Sequence, residues 1–320
     1  MGFLRKGTKC LICRAQKIDR EAILFLPAYR LALCKEHFIS WVKKRVYETI
    51  KQFSMFSKED KILTAVSGGK DSLSLWFILN DLGYIADGLY IDLGIDKYSE
   101  DSKDLAKNFS ERIGRKLYII EVKNEIGRIP EVSKSTNRPI CSICGTVKRY
   151  LMNKYAKQLG YNIIATGHNL DDEVSFLFNN TLNWDIRYLS RQYPVLTEGK
   201  GFVKKVKPLC KITEKESAMF AFFNKIDYIK YECPFSLDSV SIKYKKFFSM
   251  LEEEFPSSKI RFYNNFLKNI FEILSKYREE EKLRNCIECG EPSLNEICSF
   301  CVLKNKFRKL ENELELTKKV

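Results

Sequence analysis

Residues 67–72 read Ser67-Gly68-Gly69-Lys70-Asp71-Ser72, placing two glycines, two hydroxyls, an ammonium and a carboxylate in six consecutive positions. That set suits a bound polyphosphate. Paired glycines let the backbone approach a ligand and take positive φ, so successive N–H groups can point at phosphate oxygens. The spacing is neither G-x-x-x-x-G-K-S/T nor G-x-G-x-x-G, which excludes the Walker-type and dinucleotide-type cradles. Metal ligation is the second signal. Cys10-x-x-Cys13 with Cys34-x-x-His37 offers three thiolates and an imidazole, and Cys286-x-x-Cys289 with Cys298-x-x-Cys301 offers four thiolates. Each is a closed four-ligand set and predicts a structural Zn2+ with no open position for chemistry.

Of the 11 cysteines, Cys141, Cys144, Cys210 and Cys233 remain outside those sets. Cys141-x-x-Cys144 has three readings: a redox dithiol, half a zinc site, or two iron–sulfur ligands. The dithiol reading fails because the pair does not follow the first strand of a small domain. Cys233, in Tyr231-Glu232-Cys233-Pro234-Phe235, could approach the same crevice, and three converging thiolates make an iron–sulfur cluster with one open iron a candidate. Cys210 reads as a buried free thiol, with a fourth ligand as the alternative. Thr166-Gly167-His168-Asn169-Leu170-Asp171-Asp172-Glu173 adds a histidine and adjacent carboxylates. Asp171, Asp172 or both could hold Mg2+ against phosphates, and His168 could act on phosphate or substrate. The alternative is a helix cap from Asn169 or Asp171 with His168 merely packed.

These residues need a scaffold. An apolar run (Ile62, Leu63, Ala65, Val66) enters the glycines, and Leu73, Leu75, Trp76, Ile78 and Leu79 leave them at helical spacing. From Lys61 the pattern alternates between strands at 61–66, 85–92, 116–122 and 161–166 and helices at 69–82, about 98–113, about 143–159 and about 170–182. Apolar strands alternating with helices predict an α/β fold, a parallel sheet with helices on both faces. Ligands of such sheets bind beyond the carboxyl ends of the strands, so three loops should converge: Ser67 to Ser72, Asp92 to Ile95, and Thr166 to Asp172. Lys148 and Arg149 fall on the first turns of the helix after Cys144.

Ahead of the sheet, Ala22 to Phe25 reads as a strand. A basic amphipathic helix follows from about Phe38 to Phe56, with Trp41, Val42, Val46, Ile50 and Phe53 opposite Lys43, Lys44, Arg45 and Lys51. Beyond the sheet, Asp227 to Glu232 is strand-like, and Thr213 to Asn224 reads as a helix opened by a Thr213/Glu216 capping box. About Ser239 to Glu281 reads as one or two charged helices broken near Pro256. The predicted organisation is a zinc finger (1–37), a linker helix (38–57), a catalytic domain (58–240), a helical segment (241–282), and a zinc ribbon with a basic tail (283–320).

The 320 residues are 45% hydrophobic and 30% charged, enough for a substantial core. The excess of 55 basic over 41 acidic residues, a net +14, favours a polyanionic partner such as nucleic acid; the alternative is a solubility surplus spread over the surface. No stretch reaches the roughly 18 apolar residues of a membrane span. The N-terminus carries no signal-peptide pattern, and Lys6 stands where myristoylation needs Ser or Thr. A cytoplasmic chain with no membrane partner is expected, its cysteines serving as metal ligands rather than disulfides. The basic tail (Lys304, Lys306, Arg308, Lys309) is either solvated or an RNA contact.

S-G-G-K-D-S after a strand, C-x-x-C-G followed by Lys148-Arg149, T-G-H-N-L-D-D-E, a later Cys233 before Pro234, and zinc knuckles at both ends together resemble one family. It is the tRNA 2-thiouridine synthetases of the TtuA and Ncs6 group, related to TtcA among the PP-loop ATP pyrophosphatases. The resemblance covers nearly the whole chain. It implies a PP-loop ATPase fold, ATP with Mg2+, and a [4Fe-4S] cluster on Cys141, Cys144 and Cys233. ATP would be held by Ala65, Ser67, Gly68, Gly69, Lys70, Asp71, Ser72, Asp92, Gly94, Gly167 and His168. Lys148, Asp172 and Asp71 would be catalytic. The implied activity is that of a tRNA-uridine 2-sulfurtransferase: O2 of a uridine is adenylated, pyrophosphate leaves, and sulfur from the cluster's open iron enters at C2 as AMP departs. The resemblance also implies a homodimer, tRNA as partner, and a sulfur donor that is a ubiquitin-like thiocarboxylate protein, a persulfide or free sulfide. Cys210 departs from the family pattern, which has a basic residue about there. Two other readings remain: a PP-loop adenylating ligase without a cluster, and a zinc-ribbon RNA-binding scaffold without ATP turnover.

Overall fold

Five parallel strands and one antiparallel edge strand form the sheet that positions the loops. The computed structural model describes residues 7–199, 201–236, 240–277 and 283–318. The N-terminal part holds α1 (Leu11–Ala15), β1 (Leu24–Leu26), β2 (Leu31–Leu33) and α2 (Lys35–Gln52). The sheet region begins with β3 (Lys61–Val66), α3 (Lys70–Asp81), β4 (Ile85–Asp92), α4 (Asp96–Ile113), β5 (Leu117–Glu121), α5 (Ile129–Lys134) and α6 (Ile140–Gln158). It continues through β6 (Ile163–Thr166), α7 (Leu170–Leu182), α8 (Ile186–Leu189), β7 (Val195–Leu196), β8 (Lys204–Val206) and α9 (Glu214–Phe223). Helices α10 (Val240–Glu254), α11 (Ser258–Asn265) and α12 (Phe271–Ser275) precede β9 (Arg284–Asn285), β10 (Pro292–Ser293) and α13 (Ser299–Lys318).

The strand order is β5-β4-β3-β6-β8-β7. β3 pairs in parallel with β4 on one side and β6 on the other, so the chain reverses its direction of growth there and leaves a crevice beyond the carboxyl ends of β3 and β6. Ile62, Leu63, Ile163 and Ile164 are at most 2% exposed, because both faces of the sheet are covered. On one face Trp76 of α3 is fully buried and donates its Nε1 proton to Ala86 O at 2.9 Å. It fits because position 88 is glycine: a Cβ there would lie 2.7 Å from the indole. On the other face Leu63 and Ile164 pack with Ala156 of α6. Among the described residues no helix is long and apolar enough to cross a membrane.

The main elements lie within a few residues of their expected bounds, and the differences have physical causes. The short β8, Lys204-Lys205-Val206, lacks the apolar run that marks a strand, yet it pairs in parallel with β6 and buries Val206. Asp227 to Glu232 is not a strand: the Ile229 N–H donates to Gly68 O at 3.0 Å, so the segment crosses the glycine loop instead of joining a ladder. Arg45 does not belong to a solvated face of α2; its guanidinium lies over the Tyr29 ring at 4.5 Å and donates to Lys211 O at 3.0 Å. α2 ends at Gln52, short of Phe56, and the first strand shifts to Leu24–Leu26. The charged region divides near Pro256 as expected; Ser239 and the 278–281 end of that expectation lie outside the described residues.

Lys205 yields a testable consequence of burial. Desolvation, and then the neighbouring Arg149 cation, lower its pKa to about 8 from the ordinary 10.5. An amine with a depressed folded pKa is penalised while charged, so the cost is full below about pH 8 and fades as pH rises toward 10.5. Lys205→Met is therefore expected to raise the melting temperature by a few degrees at neutral pH and by less near pH 10. Thermal melts at the two pH values check this, and an unchanged or lower melting point at neutral pH would count against it.

Candidate active site and metal centres

The glycine loop is held open by close backbone contacts. β3 delivers the chain to Ser67, and α3 starts at Lys70 with Gly69 as an N-cap that supplies no side-chain acceptor, so first-turn N–H groups stay available to an anion. Gly68 has φ 73°, and a Cβ on it would sit 2.5 Å from Ser102 O. A Cβ on Gly167, in the loop after β6, would sit 2.8 Å from Ser72 N, so the two loops lie directly on each other. Ser72 Oγ accepts from Ser67 N–H at 3.1 Å and donates to Gly69 O at 3.0 Å, fixing the turn from inside.

A crevice of about 390 Å³ opens over these loops. Ala65, Ser67, Gly69, Asp71 and Ser72 line it from the β3 side, Gly167, His168 and Asp172 from the β6 side, and Lys148 from α6. Apolar Val66, Leu89 and Ile91 also line it. Asp92 and Gly94 stand apart in a neighbouring hollow, where Asp92 pairs with Lys103 at 2.8 Å and Gly94 packs under Arg128. His168 is half-buried, with Nδ1 2.8 Å from Thr166 Oγ1; burial, and then Lys207, hold its pKa below the usual imidazole value, which keeps the ring neutral at pH 7.

Three consecutive acids open α7, and each is closed by a lysine from a later segment. Asp171 pairs with Lys259 of α11, both at 4% side-chain exposure, and its other oxygen accepts the Glu214 N–H at 2.7 Å. Both Asp171 oxygens are thus committed within the protein. Asp172 pairs with Lys245 of α10 at 2.6 Å, and fully buried Glu173 takes Lys207 at 2.8 Å. Asn169 Oδ1 caps the helix by accepting from the Asp172 N–H at 3.1 Å, and Asp172 Oδ2 accepts in turn from the Asn169 N–H at 3.0 Å. On the loop side, Lys70 bonds Asp71 at 3.2 Å and Glu214 at 2.9 Å. Burial opposes the charge on Glu214, yet Lys245 and Lys70 bring its pKa down to about 2. Burial raises the pKa of Asp71. A carboxylate lining the crevice fits a hard cation. Sequence reasoning missed Glu214, Lys207, Lys245 and Lys259. The available signal was the run Asp171-Asp172-Glu173 itself, since three acids in one helical turn cannot be buried without cations.

The three unassigned cysteines of the crevice side gather at the start of α6. Cys141 and Cys144 lie on its first turns, and Cys141 Sγ donates to Phe235 O at 3.1 Å, which brings the Cys233 segment onto the helix. Burial raises the Cys141 pKa, nearby Cys144 and Cys233 raise it further, and Lys148 opposes them. Lys148 therefore faces both the crevice and the thiols. Cys210 lies elsewhere, fully buried in the apolar cluster of Leu170, Val174 and Tyr263, where desolvation pushes its thiol up to about 12. That is a packed thiol rather than a fourth ligand.

Among the described residues, two groups have donor atoms all within 4.8 Å of one another: Cys10, Cys13, Cys34, His37 and Cys286, Cys289, Cys298, Cys301. His37 Nδ1 lies 3.4, 3.2 and 3.3 Å from the sulfurs of Cys10, Cys13 and Cys34. The Cys13–Cys34 and Cys289–Cys298 sulfur separations are 3.8 and 3.7 Å. Four sulfurs about 2.3 Å from one tetrahedral ion stand about 3.8 Å apart, so both sets fit a single metal ion. Among the described residues, Cys141, Cys144 and Cys233 do not form such a tight group. The C-terminal set packs on α6 itself: Phe300 stacks on Tyr150 at 3.8 Å, and Glu291 bonds Asn153 at 2.8 Å and Lys157 at 2.6 Å.

Comparison with known proteins places this geometry. The PP-loop domain profile matches residues 41–233. The tRNA-5-methyluridine(54) 2-sulfurtransferase of Thermotoga maritima is 42% identical, over 94% of this chain and 99% of its own. The protein of the same name from Thermus thermophilus is 40% identical, over 91% of this chain and 89% of its own. Among solved structures, the U34-tRNA thiolase NcsA from Methanococcus maripaludis with its [4Fe-4S] cluster aligns at a TM-score of 0.77 and 28% identity, over 92% of this chain and 95% of its own. With that match over residues 41–233 and relatives 40–42% identical over more than nine-tenths of the chain, this protein belongs to the PP-loop family of tRNA 2-thiolation sulfurtransferases.

Proposed function

We propose that this chain uses ATP to activate O2 of a tRNA uridine and replaces that oxygen with sulfur, releasing pyrophosphate and then AMP. One observation carries the reading: Lys148 lines the phosphate crevice and lies within electrostatic reach of Cys141, so activation and sulfur supply share one space on α6. A carbonyl oxygen of uracil is a poor leaving group. Transfer of AMP to that oxygen, with loss of pyrophosphate, makes it a good one. Attack of sulfide at C2 then forms the C–S bond as AMP leaves.

The chain's residues divide this work. Ser67, Gly68, Gly69, Lys70 and Ser72 would hold phosphate oxygens through backbone N–H, hydroxyl and ammonium groups. Asp71 and Asp172 would hold Mg2+, which neutralises charge building on the α- and β-phosphates. Lys148 would offset charge on the adenylated base or protonate the departing oxygen. Ala65, Gly167 and His168 complete the nucleotide wall, with Asp92 and Gly94 at its margin. Cys141, Cys144 and Cys233 would hold a [4Fe-4S] cluster, which supplies an iron position open to exogenous sulfur. Zn2+ is the natural occupant of the two four-ligand sets, since thiolate and imidazole donors in tetrahedral array suit it.

Position 54 of tRNA is the proposed target; the support is that relatives at 40–42% identity bear that position in their names, whereas the U34 thiolase is 28% identical. The finger (1–37), linker helix (38–57), catalytic domain (58–240), helical segment (241–282) and ribbon (283–320) are the proposed parts. A cytoplasmic homodimer is proposed as the working form, with sulfur from a thiocarboxylate protein, a persulfide or free sulfide.

Reconstituted protein with ATP, Mg2+, sulfide and tRNA carrying 5-methyluridine at position 54 is expected to yield the 2-thio derivative of that base with one pyrophosphate per thiolation; nucleoside mass spectrometry mapped by position reads the product, and pyrophosphate release without thiolated base would overturn the reading. Cys144→Ala is expected to abolish thiolation and the iron–sulfur absorbance band. Cys210→Ala should keep both and lose only stability. Zinc chelation is expected to lower the melting temperature before it lowers ATP binding, as seen by parallel melts and nucleotide titration.

A further inference from the structure

Glu214, the first residue of α9, takes one ammonium on each carboxylate oxygen: Lys70 Nζ on Oε1 at 2.9 Å and Lys245 Nζ on Oε2 at 3.1 Å. Each ammonium has a second partner that lines the crevice, Asp71 for Lys70 at 3.2 Å and Asp172 for Lys245 at 2.6 Å. The result is an alternating run of Asp71, Lys70, Glu214, Lys245 and Asp172, with three carboxylates against two ammoniums. Its two ends are the crevice carboxylates Asp71 and Asp172. A divalent cation bound by Asp71 and Asp172 would neutralise those carboxylates and so weaken their hold on both lysines. Glu214 would then hold two ammoniums side by side, one of them on the PP-loop itself. Two fixed cations at one carboxylate's width suit a polyanion arriving with that metal.

We propose that Lys245, which lies beyond the PP-loop domain match, forms with Lys70 a pyrophosphate-binding site that becomes available when a divalent cation takes Asp71 and Asp172. Glu214 is the positioning residue that sets the spacing of the two lysines. The inference rests on the reading of this chain as an enzyme that cleaves ATP to AMP and pyrophosphate, and it adds a residue and an order: cation first, then the grip on the departing group.

Isothermal titration of the full chain with pyrophosphate and, separately, AMP, with and without Mg2+, tests it on wild type, Lys245→Met, Lys245→Arg and Glu214→Gln, with circular dichroism and melts on each. Lys245→Met is expected to weaken Mg2+-dependent pyrophosphate binding roughly ten- to hundredfold, the loss of a charge-assisted contact, while AMP affinity stays unchanged. Lys245→Arg should restore most of it, and wild type without Mg2+ should bind as weakly as Lys245→Met does with it. If Lys245→Met does not fold, Lys245→Gln takes its place. Unchanged pyrophosphate affinity in the variant overturns the proposal, as does an equal loss of pyrophosphate and AMP affinity, which marks a scaffold role. Wild type that binds neither ligand overturns the ATP reading instead.

Discussion

The crevice depends on how closely two loops can lie. Gly167 stands where a single methyl group would meet Ser72 N at 2.8 Å, and Gly68 where one would meet Ser102 O at 2.5 Å. Both contacts are backbone against backbone, so neither can be relieved by a rotamer change. The first seats the loop after β6 on the start of α3, and the second seats the loop after β3 on α4. The crevice residues of both loops, from Ser67 to Ser72 and from Gly167 to Asp172, take their position from that approach.

α6 joins the two chemistries. Its first turns carry Cys141, Cys144 and Lys148, and its middle packs on the C-terminal metal ribbon through Tyr150 and Phe300. Gly127 allows the same contact from another side, with Phe307 carbon at 2.4 Å from where a Cβ would be. A stacked aromatic pair and the half-buried Glu291 are a firm mount for the helix that carries Cys141 and Cys144. The ribbon is remote from the crevice in sequence and adjacent to it through one helix.

Much of this was legible in the chain. The S-G-G-K-D-S loop between apolar strand and helix gave the crevice, and knuckle spacing gave both metal sets with every ligand. The α7 bounds, Leu170–Leu182, match the expectation because Asn169 and Asp172 form a strong cap. What stayed hidden depends on partners far away in the chain. Asp171 reads as a free metal ligand until Lys259, 88 residues later, is seen against it. Asp227 to Glu232 alternates like a strand, but its backbone donor is claimed by Gly68 O. Lys204-Lys205-Val206 carries no strand pattern and becomes one only because β6 offers an edge.

The lysines that close α7 carry a lesson about where this protein's boundaries lie. The PP-loop match ends at residue 233, yet Lys245 and Lys259, which neutralise Asp172 and Asp171, come after it. Cut at that boundary, the domain would keep its signature and expose two uncompensated acids beside its own phosphate loop. The unit that evolution labels is therefore shorter than the unit that can stand alone in water, and a minimal catalytic fragment of this chain has to be drawn through α11.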